Sequence, residues 1–233
     1  MLGKKELLDK IHHQLIVSCQ ALSGEPLCSP FIMERMALAA QEGGAGGIRA
    51  NSPADIAGIR RLVNLPLIGL YKAEYEDSPV YITPTMKEVR ELMAVHPDIL
   101  ALDATRRLRP GGVSLEEFVR RIRRDYPGQL IMADTSCYEE GVRAQELGFD
   151  LIGTTLSGYT EYTRDVKLPN FALIQEYAEN LRTPIIAEGG IWTPDQLQRI
   201  METGVWAAVI GTAITRPREI TRRFTKSIRE LHL

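Results

Sequence analysis

The sequence is poor in the residues that would tie it to a disulfide framework, a histidine metal centre or a membrane. It has three cysteines in 233 residues, Cys19, Cys28 and Cys137. Their spacing fits no metal-ligand pattern, and an odd count argues against paired bridges. A reduced, cytoplasmic protein is expected. No run approaches the roughly 18 uninterrupted apolar residues of a membrane span. Met1 to Lys10 is charged and lacks the hydrophobic region of a signal peptide. The formal net charge of −2 gives no reason to expect nucleic acid or a membrane surface as partner. The basic cluster Arg120-Arg121-Ile122-Arg123-Arg124 sits in a helix-like stretch and reads as a solvated face. No Ser-His-Asp set is present. No glycine loop carries the Lys-Ser/Thr ending of a nucleoside-triphosphate cradle.

What is present is a regular alternation. The chain is 44% hydrophobic and 25% charged, an ordinary globular balance. Eight short apolar runs recur: Leu15–Cys19, Gly47–Arg49, Leu67–Leu70, Ile99–Leu102, Leu130–Ala133, Leu151–Thr154, Ile185–Ala187 and Ala207–Ile210. Their nearly continuous apolar character marks strands buried on both faces, since half-exposed strands alternate. Helical patterns separate them. Ser52-Pro53, Thr83-Pro84 and Thr193-Pro194 read as helix starts, and Ser114-Leu115-Glu116-Glu117 as a capping box. Gly148 and Gly204 read as helix stops. A last helix is expected from about Pro217 to Leu231, its stripe of Ile220, Phe224, Ile228 and Leu231 most simply closing the barrel and otherwise serving as an interface. Eight strands alternating with eight helices predict a single-domain α/β protein over residues 1–233, a (β/α)8 TIM barrel. A doubly wound open sheet fits less well, because no glycine fingerprint follows the first strand. The glycine-dense stretch Gln41 to Gly47 precedes a strand, so it reads as a tight loop on the face away from the chemistry.

Active sites of such barrels lie at the C-terminal ends of the strands. That rule brings together Gln20, Arg49, Asn51, Lys72, Asp103, Asp134, Thr154, Thr155 and Glu188. Strands seven and eight end in Glu188-Gly189-Gly190 and Gly211-Thr212-Ala213, a pairing that suits a phosphate held by backbone N–H groups. Arg216 can clamp that phosphate or simply precede the last helix. Lys72 directly follows an apolar strand, so desolvation can lower its pKa and make it a base or an imine former. The competing reading is a lysine snorkelling toward Glu74 or Glu76. Glu188 can act as acid or base, orient a hydroxyl, or neutralise Lys72 or Arg49. Asp103 can bind hydroxyls or pair with Arg106 or Arg107. The four histidines, His12, His13, His96 and His232, fall outside the strand ends, which argues against a histidine metal centre.

Nine segments carry a family resemblance: Ser18 to Leu22, Gly47 to Asn51, Leu65 to Lys72, Tyr81 to Thr85, Leu102 to Thr105, Ala133-Asp134, Gly153 to Thr160, Ala187 to Gly190, and Val209 to Pro217. Together they span nearly the whole chain, which resembles the N-acetylmannosamine-6-phosphate 2-epimerases, barrels of the ribulose-phosphate-binding superfamily. The strand ending in Lys72 and the segment Thr154-Thr155-Leu156-Ser157-Gly158-Tyr159-Thr160 are the most specific. The resemblance implies interconversion of N-acetylmannosamine 6-phosphate and N-acetylglucosamine 6-phosphate in N-acetylneuraminate degradation. It implies no metal and no redox cofactor, an amino-sugar phosphate as small-molecule partner, and a homodimer. It makes Lys72 the proton-transferring residue and gives Glu188 a part in ring opening or in holding hydroxyls. It assigns Gln20, Arg49, Asp134 and Thr154 to the sugar. Gly189, Gly190, Gly211, Thr212 and Arg216 go to the phosphate. Two rivals remain: a phosphosugar aldolase with Lys72 as Schiff base, and a phosphosugar-binding barrel without catalysis.

Overall fold

The computed structural model describes residues 3–231. Its eight strands are β1 (Leu15–Cys19), β2 (Gly47–Asn51), β3 (Leu67–Leu70), β4 (Ile99–Asp103), β5 (Leu130–Asp134), β6 (Leu151–Gly153), β7 (Ile185–Glu188) and β8 (Ala207–Ile210). All neighbours are parallel, and β8 returns to β1 through Ile16↔Val209, closing the barrel. Apolar side chains fill both sides of the strands. Ile16, Ile68, Ile99, Met132, Ile186 and Val209 pack inside. Val17, Ile48, Leu100, Ile131, Ile152 and Ala208 pack outward against helices. Each such isoleucine or leucine contributes about 1.5–3 kcal/mol by leaving water.

The helices start where side chains satisfy their first N–H groups. Ser52 accepts from Asp55 N ahead of Pro53, and Thr193 and Gln196 form a reciprocal box ahead of Pro194. The expected start at Thr83-Pro84 is displaced. Thr85 and Glu88 form the capping box, and the helix runs Met86–Met93. Thr83 instead adopts φ 46 and donates its hydroxyl to the Ala101 carbonyl at 2.7 Å. Ser114 caps the helix Leu115–Asp125 by accepting from Glu117 N.

Three further features depart from the expected pattern. A helix at Lys4–Ile11 precedes the barrel, and its Leu7 and Ile11 plug the floor below the strands. His12 stacks on Trp206 at the same floor, at 3.9 Å, and His96 lies in the loop leading into β4. His232 lies outside the described residues. Second, β3 and β4 pair only through Ile68↔Ile99 and Gly69↔Leu100. Above that short ladder the chain folds back, with Ile82 bridging Lys72 antiparallel and accepting from Asp103 N at 3.0 Å. This insertion fills the gap and puts Tyr81 and Ile82 on the barrel mouth. Third, the last helix, Pro217–Arg229, buries none of its residues. Phe224, Ile228 and Leu231 are 69%, 63% and 63% exposed. The stripe therefore does not close the barrel, which β8 and β1 close without it.

Candidate active site

A cavity of about 450 Å³ opens at the C-terminal ends of the strands, within the range of small-molecule sites. Gln20, Arg49, Lys72, Glu188, Gly189, Gly190, Gly211, Thr212 and Arg216 all line it. Parallel strands in a closed ring bring these distant residues together, because each strand delivers its last side chains to the same mouth.

Lys72 follows β3 and is fixed by its backbone, whose N–H donates to Asn51 Oδ1 at 2.8 Å. Neither Glu74 nor Glu76 pairs with it among the described residues, so the snorkelling alternative finds no partner. Burial, reinforced by the positive charge of Arg49, lowers its pKa to about 8, against the opposing pull of Glu188. Burial pushes the Glu188 carboxyl above its usual range, and Arg49 and the Thr155 hydroxyl only partly offset this. The two groups thus move toward neutrality from opposite sides, a pattern concentrated at functional sites.

Beneath them lies a buried ion pair. Arg49 and Asp134 have side chains 1% and 0% exposed and meet at 2.7 Å. Asp134 is outside the cavity wall. It holds Arg49 from one side and accepts the Thr155 hydroxyl at 2.7 Å from another. Of the adjacent threonines, Thr155 faces the cavity, and its single hydroxyl proton is shared between Asp134 and Glu188 Oε2, the latter 3.0 Å away. Thr154 turns away. Its hydroxyl donates to the Glu188 carbonyl at 2.8 Å and accepts from Glu188 N at 3.0 Å, which locks β6 to β7. The chain turns just beyond β6, so the strand register no longer tells which threonine points inward. Asp103 also leaves the site, paired with Arg107 at 2.8 Å.

Two buried polar atoms lack hydrogen-bond partners among the described residues, Gln20 Oε1 and Arg49 Nε. Arg49 Nε lies 3.4 Å from Glu188 Oε2, close enough for charge attraction but without hydrogen-bond geometry. Orphaned groups of this kind are costly unless a ligand engages them. One is an acceptor, the other a donor, and both belong to residues lining the cavity.

In the loop that leaves β7 just past Glu188, Gly189 and Gly190 have φ of 112° and 69°. A Cβ on Gly190 would sit 2.4 Å from the Leu168 Cβ, so only glycine fits. The N–H groups of Gly189, Gly190, Gly211 and Thr212 donate to no acceptor among the described residues. Arg216 stands beside them. Free N–H groups and a guanidinium at one end of a cavity make an anion site. Sequence reasoning did not single out Tyr81, Trp192 or Arg223, which also line the wall. The sole available signal was for Arg223, seven residues after Arg216 and so on one face of the last helix.

Known proteins match both the sequence and this architecture. A family profile described as "Putative N-acetylmannosamine-6-phosphate epimerase" matches residues 33–230. A relative from Caldanaerobacter subterraneus subsp. tengcongensis, named "Putative N-acetylmannosamine-6-phosphate 2-epimerase", is 54% identical over 97% of this chain and 95% of its own. One of the same name from Clostridioides difficile is 51% identical over 95% of this chain and 99% of its own. The solved N-acetylmannosamine-6-phosphate 2-epimerase from Clostridium perfringens superposes with a TM-score of 0.92 at 48% identity, covering 97% and 98% of the two chains. Thiamine phosphate pyrophosphorylase from Pyrococcus furiosus, 18% identical with a TM-score of 0.63, shares the barrel fold alone. With a profile spanning most of its length and relatives above half identity over nearly all of it, this chain belongs to the N-acetylmannosamine-6-phosphate epimerase family.

Proposed function

We propose that the protein interconverts N-acetylmannosamine 6-phosphate and N-acetylglucosamine 6-phosphate by moving the proton at C2. The observation that carries this is Lys72. It is an amine with a pKa lowered to about 8, in the same cavity as a raised carboxyl and an anion site. In the open-chain sugar the C2 hydrogen is acidified by the C1 aldehyde. Lys72 takes that proton and leaves an enolate. Return of a proton to the opposite face inverts C2. Glu188 assists ring opening or holds hydroxyls, and Arg49 Nε and Gln20 Oε1 engage the sugar's polar atoms. Asp134 and Thr154 act one step back, Asp134 by holding Arg49 and Thr154 by fixing the backbone of Glu188. The free N–H groups of Gly189, Gly190, Gly211 and Thr212, with Arg216, take the phosphate. Binding there helps catalysis by fixing C2 against Lys72.

Proton NMR in deuterated water with N-acetylmannosamine 6-phosphate tests this. Both epimers are expected to appear, with deuterium at C2. No interconversion, or a borohydride-trapped adduct on Lys72, overturns it in favour of the binding barrel or the aldolase respectively.

The cellular setting we propose is the cytoplasm. Among the described residues no helix is long and apolar enough to cross a membrane, and three free thiols suit a reducing compartment. We further propose a homodimer that covers the exposed stripe of Phe224, Ile228 and Leu231. Phe224 and Ile228 on one helix face, with Leu231 just past the helix end, make a patch that monomers rarely leave in water. Phe224→Glu is expected to convert the dimer to monomer at micromolar concentration, measured by light scattering after gel filtration. A wild-type monomer, or an unchanged dimer in the variant, contradicts it.

A further inference from the structure

The phosphate end of the cavity contains two guanidinium groups, Arg216 and Arg223, and their electrostatic situations differ. Arg216 is already engaged, reaching Glu25 Oε2 and Oε1 at 2.6 and 2.8 Å. Burial works against the charge on Glu25, but the Leu22 N–H and Arg216, helped by Arg218, prevail and hold its carboxyl below the usual range. Glu25 therefore stays ionised and offsets the charge of Arg216. Arg218 and Arg222 are likewise tied to Glu219, at 2.9 and 3.0 Å.

Arg223 has no carboxylate partner among the described residues. It projects from the final helix to the cavity wall. Its guanidinium lies over the Trp192 ring, 4.6 Å from the centroid. That arrangement orients a cation without neutralising it. The Trp192 backbone is pinned in turn, its N–H donating to Gln196 Oε1 at 2.7 Å. Trp192 directly follows Gly189-Gly190-Ile191, so the aromatic shelf is continuous with one of the two glycine loops.

We infer that Arg223, held over Trp192, supplies the uncompensated positive charge that selects the phosphorylated sugar over its unphosphorylated form, with Trp192 as its positioning residue. The inference rests on the phosphosugar reading of this cavity. Glu25 is shared by Arg216 and Arg218 and draws on the charge of both, whereas no carboxylate draws on Arg223 among the described residues, so its full charge is available to a phosphate dianion beside the backbone N–H groups. Because Arg223 is exposed, its contribution weakens as salt rises. Arg223 is not among the charges that shift Lys72, so it acts on binding and leaves the proton transfer alone.

Inorganic phosphate titrated by calorimetry, together with steady-state kinetics on the sugar phosphate, tests the inference. For Arg223→Ala the phosphate Kd and the KM are expected to rise by the same factor, about twofold to tenfold for an exposed cation, with kcat within about twofold. The gap is expected to narrow from low salt to about 0.5 M salt. Arg223→Lys is expected to recover part of the loss. Trp192→Ala shifts KM in the same direction by less, and Trp192→Phe restores it. Unchanged Kd and KM in Arg223→Ala, or a fall in kcat alone, overturns the inference. A wild-type protein that binds phosphate through Arg223 yet moves no proton at C2 keeps the anion site and removes the epimerase reading. A working epimerase indifferent to Arg223 does the reverse.

Discussion

Alanine at position 72 is expected to lower turnover at C2 by about 10²–10⁴-fold, the usual worth of a positioned acid–base group, while sugar-phosphate binding persists. The physical basis is the pKa of about 8 that burial and Arg49 give the amine. An ordinary lysine near 10.5 is about one-thousandth neutral at pH 7.5, whereas one at about 8 is roughly one-quarter neutral. The sign follows directly. A lowered lysine pKa favours the uncharged base, so kcat/KM rises about tenfold per pH unit below 8 and levels above it. Lys72→Arg separates base from charge, since arginine keeps the positive charge but stays protonated. Both variants are expected to lose C2 deuterium exchange along with turnover. Near-normal turnover in Lys72→Ala, or the same pH limb in Lys72→Arg, would falsify the assignment of Lys72 as proton carrier. The charge of Arg216 reaches Lys72, so the urea unfolding midpoint, rather than phosphate affinity, serves as the control for folding.

The residues that made this site legible in the sequence share one property: each directly follows, or ends, a continuous apolar run. Gln20, Arg49, Lys72 and Glu188 are readable because a closed parallel ring converts eight strand ends into one mouth. Helix starts with a serine or threonine before proline at Ser52-Pro53 and Thr193-Pro194 helped fix the count. Features that depend on what one element finds beside it were not readable. The short β3–β4 ladder leaves a gap, and only in three dimensions does the Tyr81-Ile82 turn fill it. The floor helix carries just Leu7 and Ile11 as buried anchors among charged residues, too sparse a pattern to announce itself. The apolar stripe of the last helix is legible as a period, but periodicity cannot say whether the barrel or anything else packs on it, and within the chain Phe224, Ile228 and Leu231 stay exposed. Thr154 and Thr155 are distinguished only by the turn that follows β6. Asp134 ends its strand like the others, yet a 2.7 Å contact with Arg49 draws it behind the cavity wall.

That contact sets the second large effect. Arg49→Met is expected to destabilise the fold by about 3–5 kcal/mol, because removing one partner of a buried pair strands the other. Asp134, 0% exposed, would keep only the Thr155 hydroxyl, with the Glu188 carboxylate nearby adding repulsion. In the variant the Glu188 carboxyl, already above its usual range, loses the Arg49 charge that holds it down and so rises further. A group whose folded pKa lies above its unfolded value favours the fold at low pH and loses that contribution as pH rises through the folded pKa. The deficit of Arg49→Met relative to the wild type is accordingly smallest near pH 4 and largest above neutrality. Asp134→Leu strands Arg49 in the converse way, with Glu188 at 3.4 Å as a partial substitute, and so costs less. The double variant, Arg49→Met with Asp134→Leu, replaces the pair by apolar bulk and is expected to regain most of the stability in urea unfolding. Activity is not regained. Arg49 Nε is the orphaned buried donor of the cavity, and its loss removes an interaction that apolar packing cannot supply. A double variant that is both stable and active would make the pair a structural device alone. One that is stable and inactive separates the two roles of Arg49: support for the barrel through Asp134, and recognition of the sugar through Nε.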